Sequence, residues 1–374
     1  LVGSEMCIRD SIMTMYRAIC HDMFTDAEEG NLVFKTGLLP SPGEKEVQVH
    51  FIASPINMQD ELVYKQLYPT KPKYFIQDDT SLGKENDSFQ YPIMGYDGVA
   101  SVTSCGSKVT TLRPGDLVIP RIPGLGTWRS DANVPENEVI QIPNDVDPYF
   151  GCVIRMVYTV AYLLVTKEVD LKPGDCVLLN GATGRIAQAV VQFARIYGIN
   201  TICVLRDEEQ PFYATHLLGL GASKVLSETE LSPEELHEYG PVKLAIDSVF
   251  GQSGSRLSNC LSVDGTFLSL GYLGRGEASS KDYGIQVSEY LLFNRSIKFR
   301  NFRLSERLQR WSDAELRRLW IWFGCLHKEG KLATPRMHVI HWTSDICLES
   351  VLSTVKGDRH SMNIFGRPII DFVK

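Results

Sequence analysis

Two short stretches of this chain hold residue types whose spacing suits chemistry. In YKQLYPTKP, Tyr64 to Pro72, Pro69 and Pro72 fix their own φ and push the residue before each of them into an extended conformation. Tyr68 is therefore held by Pro69. A phenol fixed in this way is protonated at neutral pH, because its pKa is about 10, and can donate a proton or a hydrogen bond. The competing reading is a surface loop whose aromatic residue packs. Tyr64, four residues earlier, would share a face with Tyr68 if the loop were helical, and is expected to be a packing residue. The second stretch is NGATGRIA, where Gly181, Gly184 and Ala187 are spaced Gly-x-x-Gly-x-x-Ala. Small residues there let the backbone approach a pyrophosphate and let a helix pack close to the preceding strand. The competing reading is a tight turn without a ligand.

The elements around the second stretch decide between its two readings. Cys176 to Leu179 is a continuous apolar run, as expected for a parallel strand covered on both faces. From Ile186 the apolar positions 186, 189, 190, 193, 194 and 197 form a helical stripe, ended by Gly198. Strand, Gly-rich turn and striped helix together make a dinucleotide site the stronger reading. The next strand, TICVL, runs into Arg206, Asp207 and Glu208. An acid at this point hydrogen-bonds a free 2′-hydroxyl, whereas an arginine accommodates a 2′-phosphate. Arg206, coming first, favours NADPH over NADH, and the two acids argue the other way.

Further runs extend the pattern on both sides. HLLGLGASKVL predicts helix then strand, KLAIDSV another strand, and GTFLSLG the end of the series. SPEELHEYG predicts a helix capped by Ser232, with Pro233 in the first turn and Glu235 closing a capping box. Strand–helix alternation over roughly 120 residues implies a doubly wound parallel sheet. Before it, residues 16–150 read as short β-rich runs between Gly, Pro and Asp turns, a twisted and mostly antiparallel domain. Within it, residues 76–90 read as an exposed polar loop. Toward the end, SDAELRRLWIWFGCLHKEG predicts a long helix opened by Ser312 and Glu315 and stopped at Gly330, and RPIIDFV a strand that returns to the first domain. The run YLLFNRSIKFRNF predicts an edge strand suited to pairing across a two-fold axis.

Composition sets outer bounds. The chain has 374 residues, enough for two domains, with 44% hydrophobic and 22% charged residues and a net charge of −7. That charge argues against nucleic acid as a partner. No apolar run reaches the ~18 residues of a membrane span. The nine cysteines contain no Cys-x-x-Cys pair and read as reduced, buried thiols of an intracellular compartment. The histidines show no metal-ligand spacing, and His338 and His341 read as surface or packing residues. Zinc-dependent proteins of this two-domain plan place a histidine in a Gly-His-Glu segment, where this chain has Tyr96 and Asp97. Hydride chemistry is therefore expected to proceed without a metal, on an activated alkene or a quinone. The opening LVGSEMCIRDS fits nothing downstream, so residues 1–11 are expected to be a non-native leader, with Met13 or Met15 as the start.

These stretches, with ASPINMQDELVYKQLYPTKP, GLGTWRSDA and KLAIDSVFG, resemble the mitochondrial 2-enoyl thioester reductases of the medium-chain dehydrogenase/reductase superfamily, over about residues 16–374. The resemblance implies an α/β chain with a GroES-like β-rich catalytic domain (12–150 and 306–374) and a Rossmann domain (151–305). It implies Tyr68 as the catalytic acid, with Asn57 and Trp128 beside it. It implies cofactor contacts from Gly181, Thr183, Gly184, Arg185, Ile186, Ala187, Arg206 and Asp207. Further contacts fall on Leu270, Gly271 and Tyr272, on Phe302 and Arg303, and on Arg367, which stands where the family has a lysine. Val157 stands where the family has an asparagine, and Glu208 where it has a second arginine. The implied activity is NADPH-dependent reduction of the C2=C3 bond of trans-2-enoyl thioesters carried on coenzyme A or acyl carrier protein, in fatty acid synthesis. Lys65, Lys71 and Lys73 are candidates for meeting that carrier. The family implies a homodimer in the mitochondrial matrix, with the cytoplasm as the alternative. Two other readings stay open, an NADPH:quinone reductase on the same scaffold and a nucleotide-binding pseudoenzyme.

Overall fold

In the computed structural model, residues 13–23, 31–67, 72–78, 89–271, 284–343, 347–356 and 367–373 are described. The chain divides into two compact units. The first comprises Leu1–Cys152, Val339–Arg359 and Pro368–Lys374, and the second Val153–His338 and His360–Arg367.

The first unit begins with β1 (Thr14–Asp22), β2 (Asn31–Leu39), β3 (Glu46–Pro55) and α1 (Met58–Tyr64). It continues with β4 (Phe75–Asp78), β5 (Phe89–Pro92), β6 (Val99–Cys105), β7 (Leu117–Pro120), β8 (Asp131–Pro135), β9 (Val139–Ile142) and α2 (Pro148–Gly151). β3 shows why this region is sheet: Val47, Val49, Phe51 and Ala53 alternate inward with period two. It pairs antiparallel with β6 and β8, as the β-rich reading of 16–150 requires. The expected exposed loop at 76–90 is corrected at its ends, where Phe75–Asp78 pairs antiparallel with Phe89–Pro92. Aromatic and β-branched residues at both ends favour that ladder. Residues 79–88 lie outside the described residues.

The second unit holds α3 (Thr159–Thr166), β10 (Cys176–Leu179), α4 (Arg185–Ile196), β11 (Asn200–Leu205), α5 (Gln210–Leu220) and β12 (Lys224–Ser227). It goes on through β13 (Val242–Asp247), α6 (Gly251–Asn259), β14 (Thr266–Ser269), β15 (Lys298–Asn301), α7 (Leu304–Leu308) and α8 (Asp313–Lys328). β16 (Met337–His341) follows, then α9 (Cys347–Lys356) and β17 (Arg367–Asp371). β17 pairs antiparallel with β3, so RPIIDFV does return to the first sheet.

The second sheet is parallel, in the order β12-β11-β10-β13-β14-β15. This is the doubly wound arrangement, and its direction of winding reverses between β10 and β13. β14 does not end the series: β15 adds a parallel strand beyond it, at the sheet edge, with every residue exposed.

Several local expectations are corrected. α4 is buried on nearly every side, including Gln188, Val191 and Gln192, and its last expected stripe residue, Tyr197, is exposed beyond the helix end. Two buried glutamines with no apolar periodicity can face inward because each finds a partner: Gln188 donates to the Thr183 carbonyl, and Gln192 accepts from the Ala333 N–H. The Ser232 helix is a 3-10 turn over Glu234–Tyr239 with Pro233 at its cap position, so no capping box forms there. At Ser312 the box does form, and α8 ends before Gly330, whose φ is +69°.

The expected second boundary near residue 306 moves to 338. α8 belongs to the second unit because its aromatic face packs there. Trp320 donates to Thr159 at 2.8 Å, and Phe323 stacks against Tyr158, Tyr162 and Phe193. The cysteines are also less uniform than expected. Cys325 is exposed on the outer side of α8 and Cys105 is half-buried, while Cys20, Cys152, Cys176, Cys203, Cys260 and Cys347 are buried. Cys7 lies outside the described residues.

Candidate functional site

In the first unit the candidate residues gather around the start of α1. Asn57 is the N-cap of that helix. Its N–H donates to Asp60 Oδ2 at 2.7 Å and its side-chain amide donates to Asp97 Oδ2 at 3.2 Å. The Asp97 carbonyl accepts from both Ser54 Oγ and Thr127 Oγ1 at 2.6 Å. Thr127 precedes Trp128, whose backbone is held by Met94 and Ile19 and whose indole is fully buried. A chain of hydrogen bonds thus connects Asn57 to the backbone beside Trp128.

Gly95 makes the close packing feasible. Its φ is +102°, and a Cβ there would fall 2.5 Å from Trp128 Cδ1. The Trp128 indole N–H has no hydrogen-bond partner among the described residues. Asp60, Glu61 and Asp97 are all buried here. Burial, with neighbouring carboxylates adding to it, pushes the Asp60 carboxyl well above the ordinary range, although the Asn57 N–H opposes the shift.

Tyr64 is fully buried, with its ring 5.0 Å from that of His21. Helix α1 stops at Tyr64, and Gln66 has a φ of +55°. Tyr68 itself and Lys71 lie outside the described residues. Lys65 donates to the Lys356 carbonyl at 3.4 Å and Lys73 lies 3.8 Å from Glu138.

In the second unit the Gly-rich turn joins β10 to α4 beside the reversal of strand order. Gly181 has a φ of +57°, and the Gly184 N–H closes the turn onto the Gly181 carbonyl at 2.9 Å. A Cβ on Gly184 would lie 3.1 Å from that carbonyl. Gly184 is the N-cap of α4 and has no side chain to cap it, and no acid stands in the first turn. The first N–H groups of a twelve-residue helix therefore face outward with a positive helix end behind them. Such a terminus fits a pyrophosphate. Thr183 and Ile186 are half-buried, Ala187 is buried, and Arg185 donates to the Arg367 carbonyl at 2.6 Å.

A buried polar network ties the carboxyl ends of the strands together. Asp247, at the end of β13, accepts from Asn180 Nδ2 at 2.7 Å and from the N–H groups of Val249 and Phe250 at 3.1 and 3.0 Å. Asn180 also donates to Ser253 and accepts from the Ser248 N–H, and Ser253 donates to Glu228 beyond β12. The Asp247 carbonyl receives the N–H groups of Leu270 and Gly271 at 2.7 and 3.3 Å. Burial raises the Asp247 carboxyl, while the Phe250, Asn180 and Val249 donors pull it back. Sequence reasoning missed Asn180, Asp247 and Ser253. The available signal was position: Asn180 and Asp247 are the first polar residues after continuous apolar strands, as Arg206 is.

The remaining predicted residues are dispersed. Arg206 follows β11 with its guanidinium 2.7 Å from Glu209 and 3.4 Å from Glu208, and Asp207 accepts from Thr229. Phe302 is buried, with the Arg307 guanidinium 5.5 Å from its ring centre. Arg303 is exposed and pairs with Glu306. Arg307 makes a bidentate pair with buried Glu168, at 2.7 and 3.0 Å, and Arg300 joins it. Val157 is buried in a single wide turn over Ile154–Tyr158. Tyr272 lies outside the described residues. Among those residues, no helix is long and apolar enough to cross a membrane.

Comparison with known proteins accords with this fold. Residues 43–144 match the alcohol dehydrogenase GroES-like domain family. The mitochondrial enoyl-[acyl-carrier-protein] reductase of Homo sapiens is 30% identical over 295 residues, which cover 78% of this chain and 73% of that protein. Among solved structures, the Etr1p/NADP/crotonyl-CoA complex superposes with a TM-score of 0.80 at 23% identity, over 96% of this chain and all of that one. The Etr1p/Etr2p heterodimer, a mitochondrial 2-enoyl thioester reductase from Candida tropicalis, gives 0.79 at 23% identity with 96% of this chain and all of that one covered. A putative NADPH:quinone reductase from Bacillus thuringiensis gives 0.76 at 21%, again over 96% of this chain and all of that one, so the fold alone is common to both activities. At the level of sequence, the extent of identity with the human reductase decides the matter, and the chain belongs to the enoyl thioester reductases of the medium-chain dehydrogenase/reductase superfamily.

Proposed function

We propose that this protein reduces the C2=C3 bond of trans-2-enoyl thioesters with NADPH. The observation that carries the reading is the turn at 181–187. It opens an uncapped helix N-terminus beside the point where strand order reverses, in a chain 30% identical to a mitochondrial enoyl-[acyl-carrier-protein] reductase. Gly181, Thr183, Gly184, Arg185, Ile186 and Ala187 hold the pyrophosphate region. Arg206 meets the 2′-phosphate, and Leu270 and Gly271 line the nicotinamide side, held by the Asp247 carbonyl. NADPH, when bound, supplies hydride to Cβ of the enoyl group.

Hydride addition drives the π electrons toward the thioester, and an enolate forms across Cα and the carbonyl oxygen. Tyr68 answers that charge, first by a hydrogen bond to the enolate and then by passing its phenolic proton to Cα. The support for Tyr68 is its place before Pro69 in the stretch that resembles the family. A donor aimed at the developing charge contributes on the order of 10²–10³ in rate. Asn57 and Trp128 position the phenol and the acyl chain, supported by the Asp97 and Thr127 hydrogen bonds that fix the segments carrying them. Coenzyme A and acyl carrier protein are both assigned as carriers.

NADPH oxidation with a short enoyl-CoA and with a quinone, in wild type and Tyr68→Phe, tests this reading. Enoyl reduction that falls about 10²-fold or more in the variant is the expected result. Quinone turnover unaffected by the substitution, with no enoyl reduction in either form, would replace it with a quinone reductase. Cofactor binding without turnover of either substrate would make the chain a pseudoenzyme.

The working form is assigned as a homodimer in the mitochondrial matrix. The naming of the human relative supports the mitochondrion, and the matrix within it is what the family resemblance implies. The dimer is supported by the exposed edge strand β15 and the exposed Tyr290, Leu292 and Phe293 before it, a row of unpaired backbone groups beside an apolar patch. Light scattering is expected to give twice the chain mass, and a monomer at micromolar concentration would remove the assignment.

A further inference from the structure

We infer that Glu209, with a smaller share from Glu208, limits how tightly this chain holds a 2′-phosphorylated nucleotide, by keeping the Arg206 guanidinium in intramolecular ion pairs. The inference rests on the NADPH reading of the site above. After β11 the backbone turns over Arg206–Glu209, closed by the Glu209 N–H on the Arg206 carbonyl at 2.9 Å. Within that turn Glu209 grips Arg206 twice. Oε1 accepts from Nη2 at 2.7 Å and Oε2 from the Arg206 backbone N–H at 3.3 Å. The Glu209 side chain is 9% exposed and that of Arg206 41%, so the carboxylate sits behind the guanidinium, largely out of water. Glu208 stands 3.4 Å from Nη1 and is 70% exposed.

The third acid of the run is committed elsewhere. Asp207 accepts from Thr229 Oγ1 at 3.0 Å, and the hydroxyls of Ser227 and Thr229 hold its carboxyl below the usual range. It is thereby turned onto the end of β12. Glu230 nearby accepts from the Ser227 N–H and from Gln210. Arg256, also near this edge, donates to the Glu228 carbonyl. Arg206 is thus the cation at the end of β11, and its fork is shared with two carboxylates.

Carboxylate and phosphate compete for the same planar fork of N–H donors. A 2′-phosphate arriving at Arg206 must either displace Glu209, leaving a nearly buried carboxylate without its cation, or share the guanidinium with it at like-charge contact. Both routes weaken phosphate binding. A nucleotide with a free 2′-hydroxyl meets neither obstacle. Glu209 is therefore a positioning residue that narrows the gap between phosphorylated and unphosphorylated cofactors.

Calorimetric titration of the full chain with 2′,5′-ADP and with 5′-ADP, at low salt, tests the inference without any turnover. Glu209→Gln and Glu209→Ala are expected to bind 2′,5′-ADP about three- to fivefold more tightly than wild type, the size of a half-exposed ion pair that no longer competes. Glu208→Gln should gain less than about twofold. Binding of 5′-ADP should stay within about twofold in all forms, which also reports that the site is intact, and added salt should shrink the gains. Arg206→Ala should abolish the gain from Glu209→Gln. Retained 5′-ADP binding with 2′,5′-ADP affinity unchanged or weaker in both Glu209 variants would overturn the inference alone. Failure of every form, wild type included, to bind either nucleotide would overturn the dinucleotide reading and this inference with it.

Discussion

The ends of the strands in the second unit and the start of α1 in the first both bury carboxylates, but they treat them differently. Asp247 receives three hydrogen bonds from Asn180, Val249 and Phe250, all aimed at one oxygen. Its partners come from β10 and from the segment leading into α6, so the carboxylate fastens elements that would otherwise meet only through backbone ladders. Around Asn57, by contrast, Asp60, Glu61 and Asp97 are buried near one another. Asp60 there takes its shift mainly from burial, with Asp97 and Glu61 adding to it. The comparison teaches that burial alone does not say what a carboxylate does. An acid that gathers three donors from separate segments braces a fold, whereas an acid with fewer donors beside other acids costs stability in its ionised form.

Substitutions at two positions sharpen or break that contrast. The larger effect is expected from Asp247→Ala, which leaves the Asn180 amide and two backbone N–H groups buried without their acceptor. A loss on the order of 3 kcal/mol in chemical denaturation is expected, with Asp247→Asn, which keeps an acceptor oxygen, losing less. A cost under about 1 kcal/mol for the alanine variant would show that the strand ends are held by the ladders and not by Asp247.

A smaller effect of opposite sign is expected at Asp60. Its folded-state pKa is raised, so the folded chain binds a proton that the unfolded chain has released. Its contribution to stability is present below the unfolded value of about 3.9 and is lost as pH rises from there through the raised folded value. Asp60→Asn should remove this loss. The variant should be more stable than wild type at pH 8, and the advantage should fade toward pH 4. A stability difference that does not change with pH, or a variant less stable at pH 8, would place Asp60 with the braced acids.

Much of the second unit was legible from its sequence. The apolar run 176–179, the spacing of Gly181, Gly184 and Ala187, and the Ser312–Glu315 cap are all local, and each became the element it predicted. The Ser232 cap is equally local and failed, because Pro233 took the cap position of a 3-10 turn. The stripe on α4 was half right. Its apolar positions are largely buried, but so are Gln188 and Gln192, whose partners are Thr183 and Ala333. In the first unit the alternation of β3 was legible, while the meeting of Asn57 with Asp97 and of Thr127 with Asp97 was not, since these residues lie 40 and 30 positions apart.

By itself, the sequence determined where strands, turns and helix starts fall, because periodicity, positive-φ glycines and capping pairs act between residues a few positions apart. It also determined the family, through stretches that carry those local signals. Only the tertiary structure decided that α8 packs in the second unit, that Asn180 and Asp247 meet across 67 positions, and that the Arg206 guanidinium is given to Glu209. Those outcomes depend on which distant segments are buried together and on which of several nearby charges reaches a guanidinium first, and no spacing along the chain encodes that competition.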